Sequence, residues 1–203
     1  GFENTFAVNH LGAFLLAHRL LPLLESGEKG RIVLTGSSDH MSVRETSVAN
    51  IATRTDLSYT QAYAHSKAVA MAAMLEMAQR LVPDDFDEDA DPADQPSFVR
   101  VNVADPGWTR TGLTRNAPLP IRVLVIAGRP LQNQPKHSAR VLADLASETD
   151  DFGRYIGLKG RMTSSVLLRD NAFRRAAYDD SVQLLVDGGF AQKQDFLTAR
   201  VHS

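Results

Sequence analysis

At 203 residues, 43% hydrophobic and 23% charged, the chain has the length of one domain with elaborations and the composition of an ordinary folded protein, which excludes wholesale disorder. Its 22 Lys and Arg against 24 Asp and Glu give a net charge of −2, so no global cationic field draws in nucleic acid or anionic lipid. The absence of Cys removes disulfides, thiolate nucleophiles and Cys-type zinc sites, and is compatible with a reducing compartment, so a cytoplasmic location is expected.

No run of apolar residues approaches the ~20 positions of a membrane span; the longest are 20–24 and 123–127, and no transmembrane segment is expected. The chain starts at Gly1 without Met or a leader pattern, and its first residues already sit in a helical repeat, so it reads as a piece of a longer protein. From residue 2 to 24 the apolar positions Phe2, Phe6, Leu11, Phe14, Leu15 and Leu21 predict a helix, with Pro22 and Gly27 marking its end. Arg31-Ile32-Val33-Leu34-Thr35 between turn residues predicts a buried parallel strand ending at Gly36-Ser37-Ser38. Residues 39–57 have no period and read as a loop. Ser58-Tyr59-Thr60-Gln61 fits a capping box, predicting a helix from Tyr59 to about Leu81.

Seven acidic residues crowd 83–97, a self-repelling run that reads as a surface loop rather than a metal site. A second strand over 98–104 ends in the turn Asp105-Pro106-Gly107. Residues 108–132 mix Pro, Gly and apolar side chains, as a partly helical flap over a pocket would. Pro135 opens a helix to about Ala146. A last short strand over 154–158 and an amphipathic helix over 171–186 complete the order. Helices alternating with strands imply an α/β fold with a parallel sheet covered on both faces. None of the six His residues shows metal-ligand spacing, so no metal site is expected.

Tyr63 and Lys67 lie four apart on the capped helix, hence on one face. Chance alone supplies about 0.1 such pairs in a chain of this composition, so the spacing by itself is weak. Its context is stronger: one strand before it ends in Ser37-Ser38 and the next strand ends in Asp105-Pro106-Gly107-Trp108-Thr109-Arg110-Thr111, and open α/β sheets bind ligands beyond those strand ends.

Together, Asn9-His10-Leu11-Gly12, Arg31-Ile32-Val33 leading to Ser37-Ser38 and His40, Tyr63-x-x-x-Lys67, and Pro106-Gly107 followed by Thr111 resemble the short-chain dehydrogenase/reductase family, in its retinol dehydrogenase-like branch. The resemblance extends through Gly153-Arg154-Tyr155 to the terminal helix. It implies a single Rossmann-like doubly wound domain over 1–203 and an alcohol-carbonyl oxidoreductase using NAD(P)(H), NADP(H) ahead of NAD(H). It implies Tyr63 as general acid/base, Ser37 (or Ser38, if the turn is one residue longer) positioning the substrate oxygen, Lys67 lowering the Tyr63 pKa and binding the nicotinamide ribose, and Asn9 holding a water beside Lys67. An ammonium at ~4 Å contributes roughly 4 kcal/mol at an effective dielectric near 20, about 3 pKa units, which brings a phenol toward neutrality. Pro106, Gly107, Thr109 and Thr111 are implied to wrap the nicotinamide end.

The sequence departs from this pattern in four ways. The family's glycine-rich phosphate loop is missing, because the Gly pairs at 27–30 and 157–160 do not link a strand to a helix, and it is expected to lie before Gly1. A chain starting here would expose the edge of the first strand and an apolar face of the first helix. Asp105 adds charge where the family more often has Asn or His, Thr109 stands for Val or Ile, and Gly36 would loosen the serine turn. The small residues Ala62, Ser66, Ala70 and Ala73 suggest a homodimer through helix 59–81, and the partner otherwise expected is a small-molecule alcohol or carbonyl. A catalytically silent dinucleotide-binding scaffold and an unrelated α/β binding module are the alternative readings.

Overall fold

The structure, a computed structural model, describes residues 1–87, 89, 96–112, 114–115, 117–147 and 149–197. Helix α1 spans Asn4–Glu25, opened by the Glu3 carboxylate, which accepts the Thr5 and Phe6 amides at 2.9 and 2.7 Å. It runs through Pro22 rather than ending there, and contains a π-helical turn at Ala7–Leu11. Phe6, His10, Phe14 and His18 recur every four residues and are all buried, so one stripe of the helix enters the core. Contrary to the reading from apolar runs, α1 is by length and composition long and apolar enough to cross a membrane. Its inner stripe, however, is tied to the rest of the chain by two histidine hydrogen bonds, described below, while Val8, Leu16, Leu20 and Leu23 face outward.

Strand β1 is Arg31–Thr35. A 3-10 turn follows at Ser38–Ser42, and then α2 at Val48–Thr53. The expected loop thus contains a short helix, capped by Ser47 and held by the buried Val48, Ile51 and Ala52; six residues are too few for periodicity to reveal it. Helix α3, Tyr59–Leu81, begins with the predicted capping box: Ser58 accepts the Gln61 amide and Gln61 accepts the Ser58 amide. Strand β2 is Arg100–Asp105, α4 is Leu119–Ala127 within the expected flap, and α5 is Pro135–Ser147. Strands β3 (Tyr155–Gly157) and β4 (Gly160–Arg161) form a hairpin, followed by the short α6, Val166–Arg169, and the long α7, Asn171–Asp187. Of the acidic run expected as a surface loop, residues 88 and 90–95 lie outside the described residues.

The sheet order is β1-β2-β3-β4, parallel across the first three strands and antiparallel at the last pair. Alternate side chains divide between two faces. Leu34, Val101 and Val103 join α1, α3 and α7 in the main core, while Val33, Ala104 and Ile156 pack on Val141 and Leu145 of α5. The sheet is therefore covered on both faces, as the alternating pattern implied. The two crossovers, β1-α3-β2 and β2-α5-β3, advance in the same direction across the sheet but over opposite faces. They cannot share a hand, so one of them departs from the usual right-handed rule.

Helix α3 is buried along nearly its whole length because α7 and α1 cover what the sheet does not. Ala62, Ser66, Ala70 and Ala73 are all buried within the chain, so the face expected for self-association is already used for internal packing. Arg80 and Glu76, both nearly buried, form an ion pair at 3.0 Å; Arg80 reaches Asp179 of α7 at 2.9 Å and stacks 3.9 Å from the Tyr178 ring centre. Removing Arg80 would leave Glu76 buried without its partner and break the link to Asp179, so this cluster fixes how α7 sits on α3.

Candidate functional site

The site lies where β1 and β2 end. Past Thr35 the chain passes so close to the core that a Cβ on Gly36 would meet Val103 Cγ1 at 2.7 Å and Met71 Sδ at 3.2 Å, and the Gly36 amide donates to the Ala104 carbonyl at 2.7 Å. Gly36 therefore tightens the serine turn instead of loosening it. Ser37 is extended and caps the following 3-10 turn through the Asp39 amide. Its carbonyl accepts from His40 Nδ1 at 2.6 Å, and His40 Nε2 faces the Ser165 amide at 3.2 Å. The amide can only donate, so the proton sits on Nδ1 and the buried imidazole staples Ser37 to the segment before α6. The resemblance contained His40, but its role was not legible without the distant Ser165.

Tyr63 projects from the first turns of α3 and is half-buried. Of the two serines, the Ser37 side chain is the one that acts on the phenol, whereas Ser38 is exposed within the 3-10 turn. Burial pushes the Tyr63 phenol above its ordinary value, the Ser37 side chain acts against this, and the charges of Asp39 and Asp105 add to the rise. Lys67 Nζ donates to the Thr35 carbonyl at 2.9 Å and stands 5.8 Å from the Tyr63 ring centre. Burial lowers the Lys67 amine. Desolvation is the largest influence on the phenol, and the Lys67 ammonium is directed at a backbone carbonyl.

Asn9 sits in the π-helical turn of α1. Its amide donates to the Ser66 hydroxyl at 3.1 Å, and that hydroxyl donates to the Tyr63 carbonyl at 2.8 Å. Asn9 therefore holds the backbone of the Tyr63-Lys67 turn through Ser66.

At the end of β2, Asp105 is buried and accepts twice: from the Gly107 amide at 2.7 Å and from the Tyr155 hydroxyl at 2.5 Å. It is a brace for the turn, a role invisible to a residue-by-residue match because its partner Tyr155 is 50 positions away. Gly107 adopts a positive φ of 66°, and a Cβ there would also meet Asn133 Nδ2 at 2.7 Å, so only glycine fits this turn without strain. The Thr109 and Ser138 hydroxyls lie 2.9 and 2.7 Å from the Pro106 carbonyl and 2.5 Å from each other, so one donates to the carbonyl and the other to its neighbour's oxygen. Thr109 thus turns its side chain into the loop, which tolerates it where the family has Val or Ile. Thr111 is exposed at the root of the flap. An open depression of about 450 Å³ lined by Glu45, Asn50, Thr53, Arg54, Thr55 and Asp56 includes none of these residues.

Chemically, the arrangement offers a protonated phenol at neutral pH, a hydroxyl beside it and a cation on the same helix face, next to a rigid turn built around Asp105. No protein-family model matches the chain. It is 33% identical to the polyprenol dehydrogenase of Mus musculus over 93% of the chain and 55% of that protein. It is 32% identical to retinol dehydrogenase 14 of Mus musculus over 77% of the chain and 45% of that protein, and 30% identical to retinol dehydrogenase 13 of Homo sapiens over 91% and 54%. The crystal structure of an uncharacterised protein from Mycobacterium paratuberculosis matches with a TM-score of 0.62 at 25% identity, covering 91% of this chain and 59% of the other. The chain spans about half the length of the curated relatives it matches. A parallel sheet with Ser37 and Pro106-Gly107 at its strand ends, the Tyr63-Lys67 helix between them, and this breadth of likeness to named dehydrogenases agree: the chain belongs to the short-chain dehydrogenase/reductase family, in its retinol dehydrogenase-like branch.

Proposed function

We propose that the chain carries the catalytic side of an NAD(P)(H)-dependent oxidoreductase that interconverts an alcohol and a ketone or aldehyde, with Tyr63 as general acid/base. The observation that supports this best is the placement of Tyr63 and Lys67 one turn apart on α3, with Lys67 Nζ 5.8 Å from the Tyr63 ring centre and bonded to Thr35 at the end of β1, beside Ser37. The donor chemistry fits a nicotinamide nucleotide at its ribose end: an ammonium has three donors, and Lys67 directs one to Thr35. Lys67 would hold ribose hydroxyls, and the backbone from Pro106 to Thr111 would border the nicotinamide. When bound, the nucleotide supplies or accepts the hydride.

The chain's own contribution is proton handling and orientation. In the reductive direction the Tyr63 phenol gives its proton to the substrate oxygen, while the Ser37 hydroxyl holds that oxygen in place. In the oxidative direction Tyr63 takes the alcohol proton, which requires the phenolate. Because burial raises the phenol, the protonated form dominates at neutral pH, so carbonyl reduction should be level there while alcohol oxidation rises with pH into the alkaline range. A lipophilic alcohol is the proposed substrate, in keeping with the retinol and polyprenol in the relatives' names. The cytoplasm is the proposed location, supported by the absence of Cys.

Turnover by the full protein with Tyr63→Phe as comparison tests the reading. Loss of about 10²- to 10⁴-fold in kcat with unchanged circular dichroism is expected, that being the usual size of a general acid/base contribution. Unchanged activity would overturn the role of Tyr63. Assays run with NADP(H) and with NAD(H) should give the higher kcat/KM with NADP(H).

A further inference from the structure

The flap has a surface chemistry unlike the rest of the molecule. Helix α4 contains no buried residue, and Leu119, Val123, Leu124 and Ile126 are 68%, 58%, 70% and 55% exposed. At 100° per residue its half-buried positions Ile121 and Val125 share the inward side, which leaves Leu119, Val123 and Ile126 on the outward side. Leu131, just beyond it, is 80% exposed. Described residues of the flap are tied to the fold: Gln132 donates to the Val125 carbonyl at 3.0 Å, Asn133 to the Trp108 carbonyl at 2.8 Å, and Arg110 to the Arg129 carbonyl at 2.9 Å. A Cβ on Gly128 would fall 2.1 Å from the Trp108 ring, so the helix end closes directly on that indole.

Charge is as unevenly distributed as apolar surface. Residues 106–143 contain six of the 22 Lys and Arg and none of the 24 Asp and Glu. Arg115, Arg122 and Arg129, before, within and just after α4, are all exposed. An outward apolar stripe accompanied by exposed arginines, with its opposite side toward the protein, is the pattern of a helix lying in a membrane interface, where the apolar side chains enter the acyl boundary and the guanidinium groups reach the phosphates.

We propose that the flap helix α4 docks this protein onto an anionic lipid surface. Charge complementarity selects that occupant. Two copies meeting through this face would set arginine against arginine with no carboxylate in the whole stretch to pair with it. Phosphate headgroups satisfy those cations, and each Lys or Arg near such a surface contributes roughly a fivefold gain in partitioning. The outward face of α1 is also apolar, with Leu16 59% and Leu23 70% exposed, but its one arginine, Arg19, is paired with Asp195 at 3.2 Å, so it serves as the internal comparison.

The test is co-sedimentation of the chain with large unilamellar vesicles of phosphatidylcholine alone or with phosphatidylserine, followed in parallel by the fluorescence of Trp108, the sole tryptophan. Binding at least tenfold tighter to the phosphatidylserine vesicles, weakened by salt and accompanied by a blue shift, is expected. The double variant Arg115→Glu/Arg122→Glu should lose tenfold or more, Val123→Asp should lose most binding, and Leu16→Ser/Leu23→Ser should bind as the unaltered chain does. All these positions are exposed, so circular dichroism should not change. Equal affinity for both vesicles, no binding to either, loss confined to the α1 variant, or a discrete dimer in sedimentation that Val123→Asp abolishes would each overturn the proposal. No readout depends on turnover, so this result and that of Tyr63→Phe stand separately.

Discussion

Asp105 shows how a single side chain can mislead when read alone and become informative once its partners are known. In the sequence it is an extra negative charge beside a proposed cofactor; in the structure each of its oxygens has a donor, Gly107 N–H and Tyr155 O–H. Asp105→Asn keeps the volume but replaces one acceptor oxygen with a donor facing either an amide or a hydroxyl. Leaving a buried group unsatisfied costs about 1–3 kcal/mol, so the variant should lose that much stability in urea titration, and kcat/KM should fall with it because the Pro106-Gly107 turn loses its brace. A variant as stable as the parent would show that the brace is dispensable. The same contrast explains what was legible at this scale. Tyr63 and Lys67 were readable because helix geometry fixes the relation of positions four apart. Ser37 could not be separated from Ser38, because that choice depends on the backbone of the turn, which Gly36 and His40 set through contacts with Met71, Val103 and Ser165.

Among the elements, α3 carries the argument because it presents Tyr63 near its first turn and Arg80 in its last. Its start rests on one capping box, with Ser58 Oγ also 2.8 Å from Gln61 Oε1. Ser58→Ala should therefore cost about 1 kcal/mol in global stability. The loss should be accompanied by faster hydrogen exchange at residues 59–63, ahead of the rest of the helix; uniform exchange along α3 would show that the cap does not control its first turn. Strands and long helices were recovered from the sequence because their periods are long enough to read, as with Arg31–Thr35 and Asn171–Asp187. The short α2 and α6, the β4 hairpin strand and the π-helical turn of α1 were not, since each is stabilised by tertiary contacts: buried Ile51 and Leu168, or the Asn9-Ser66 hydrogen bond. The small-residue stripe of α3 was read correctly as a close-packing surface but given the wrong neighbour. Helices α1 and α7 of the same chain occupy it.

For the molecule as a whole, those helices are joined by two buried histidines whose protonation opposes folding. Ser181 donates its hydroxyl proton to the Ala177 carbonyl, so His10 Nε2 must donate to Ser181 Oγ at 2.6 Å. His18 Nδ1 donates to the Phe14 carbonyl at 2.8 Å, and its Nε2 accepts from the Tyr178 hydroxyl at 2.7 Å. A proton on His18 Nε2 would force the Tyr178 hydroxyl to redirect its own proton to the Leu197 carbonyl at 3.3 Å. Burial drives His10 from 6.5 down to about 3, and burial together with the Arg80 charge drives His18 to about 4. Both groups are therefore neutral when folded and bind protons more tightly when unfolded. Their stabilisation is complete above pH 6.5 and is lost as pH falls from there toward those lowered values. At pH 5 each histidine should have given up about 2 kcal/mol, a large share of the 5–15 kcal/mol that holds a typical domain together. Urea midpoints should accordingly drop steeply between pH 7.5 and pH 5, before most carboxylates titrate. His10→Gln, which retains an N–H for Ser181, should be weaker than the parent at pH 7.5 yet lose about half of that pH slope. A parent midpoint that does not change across this range, or a slope unaltered in His10→Gln, would mean that these histidines admit their protons in the folded state and that the α1-α7 contact is not what acid breaks.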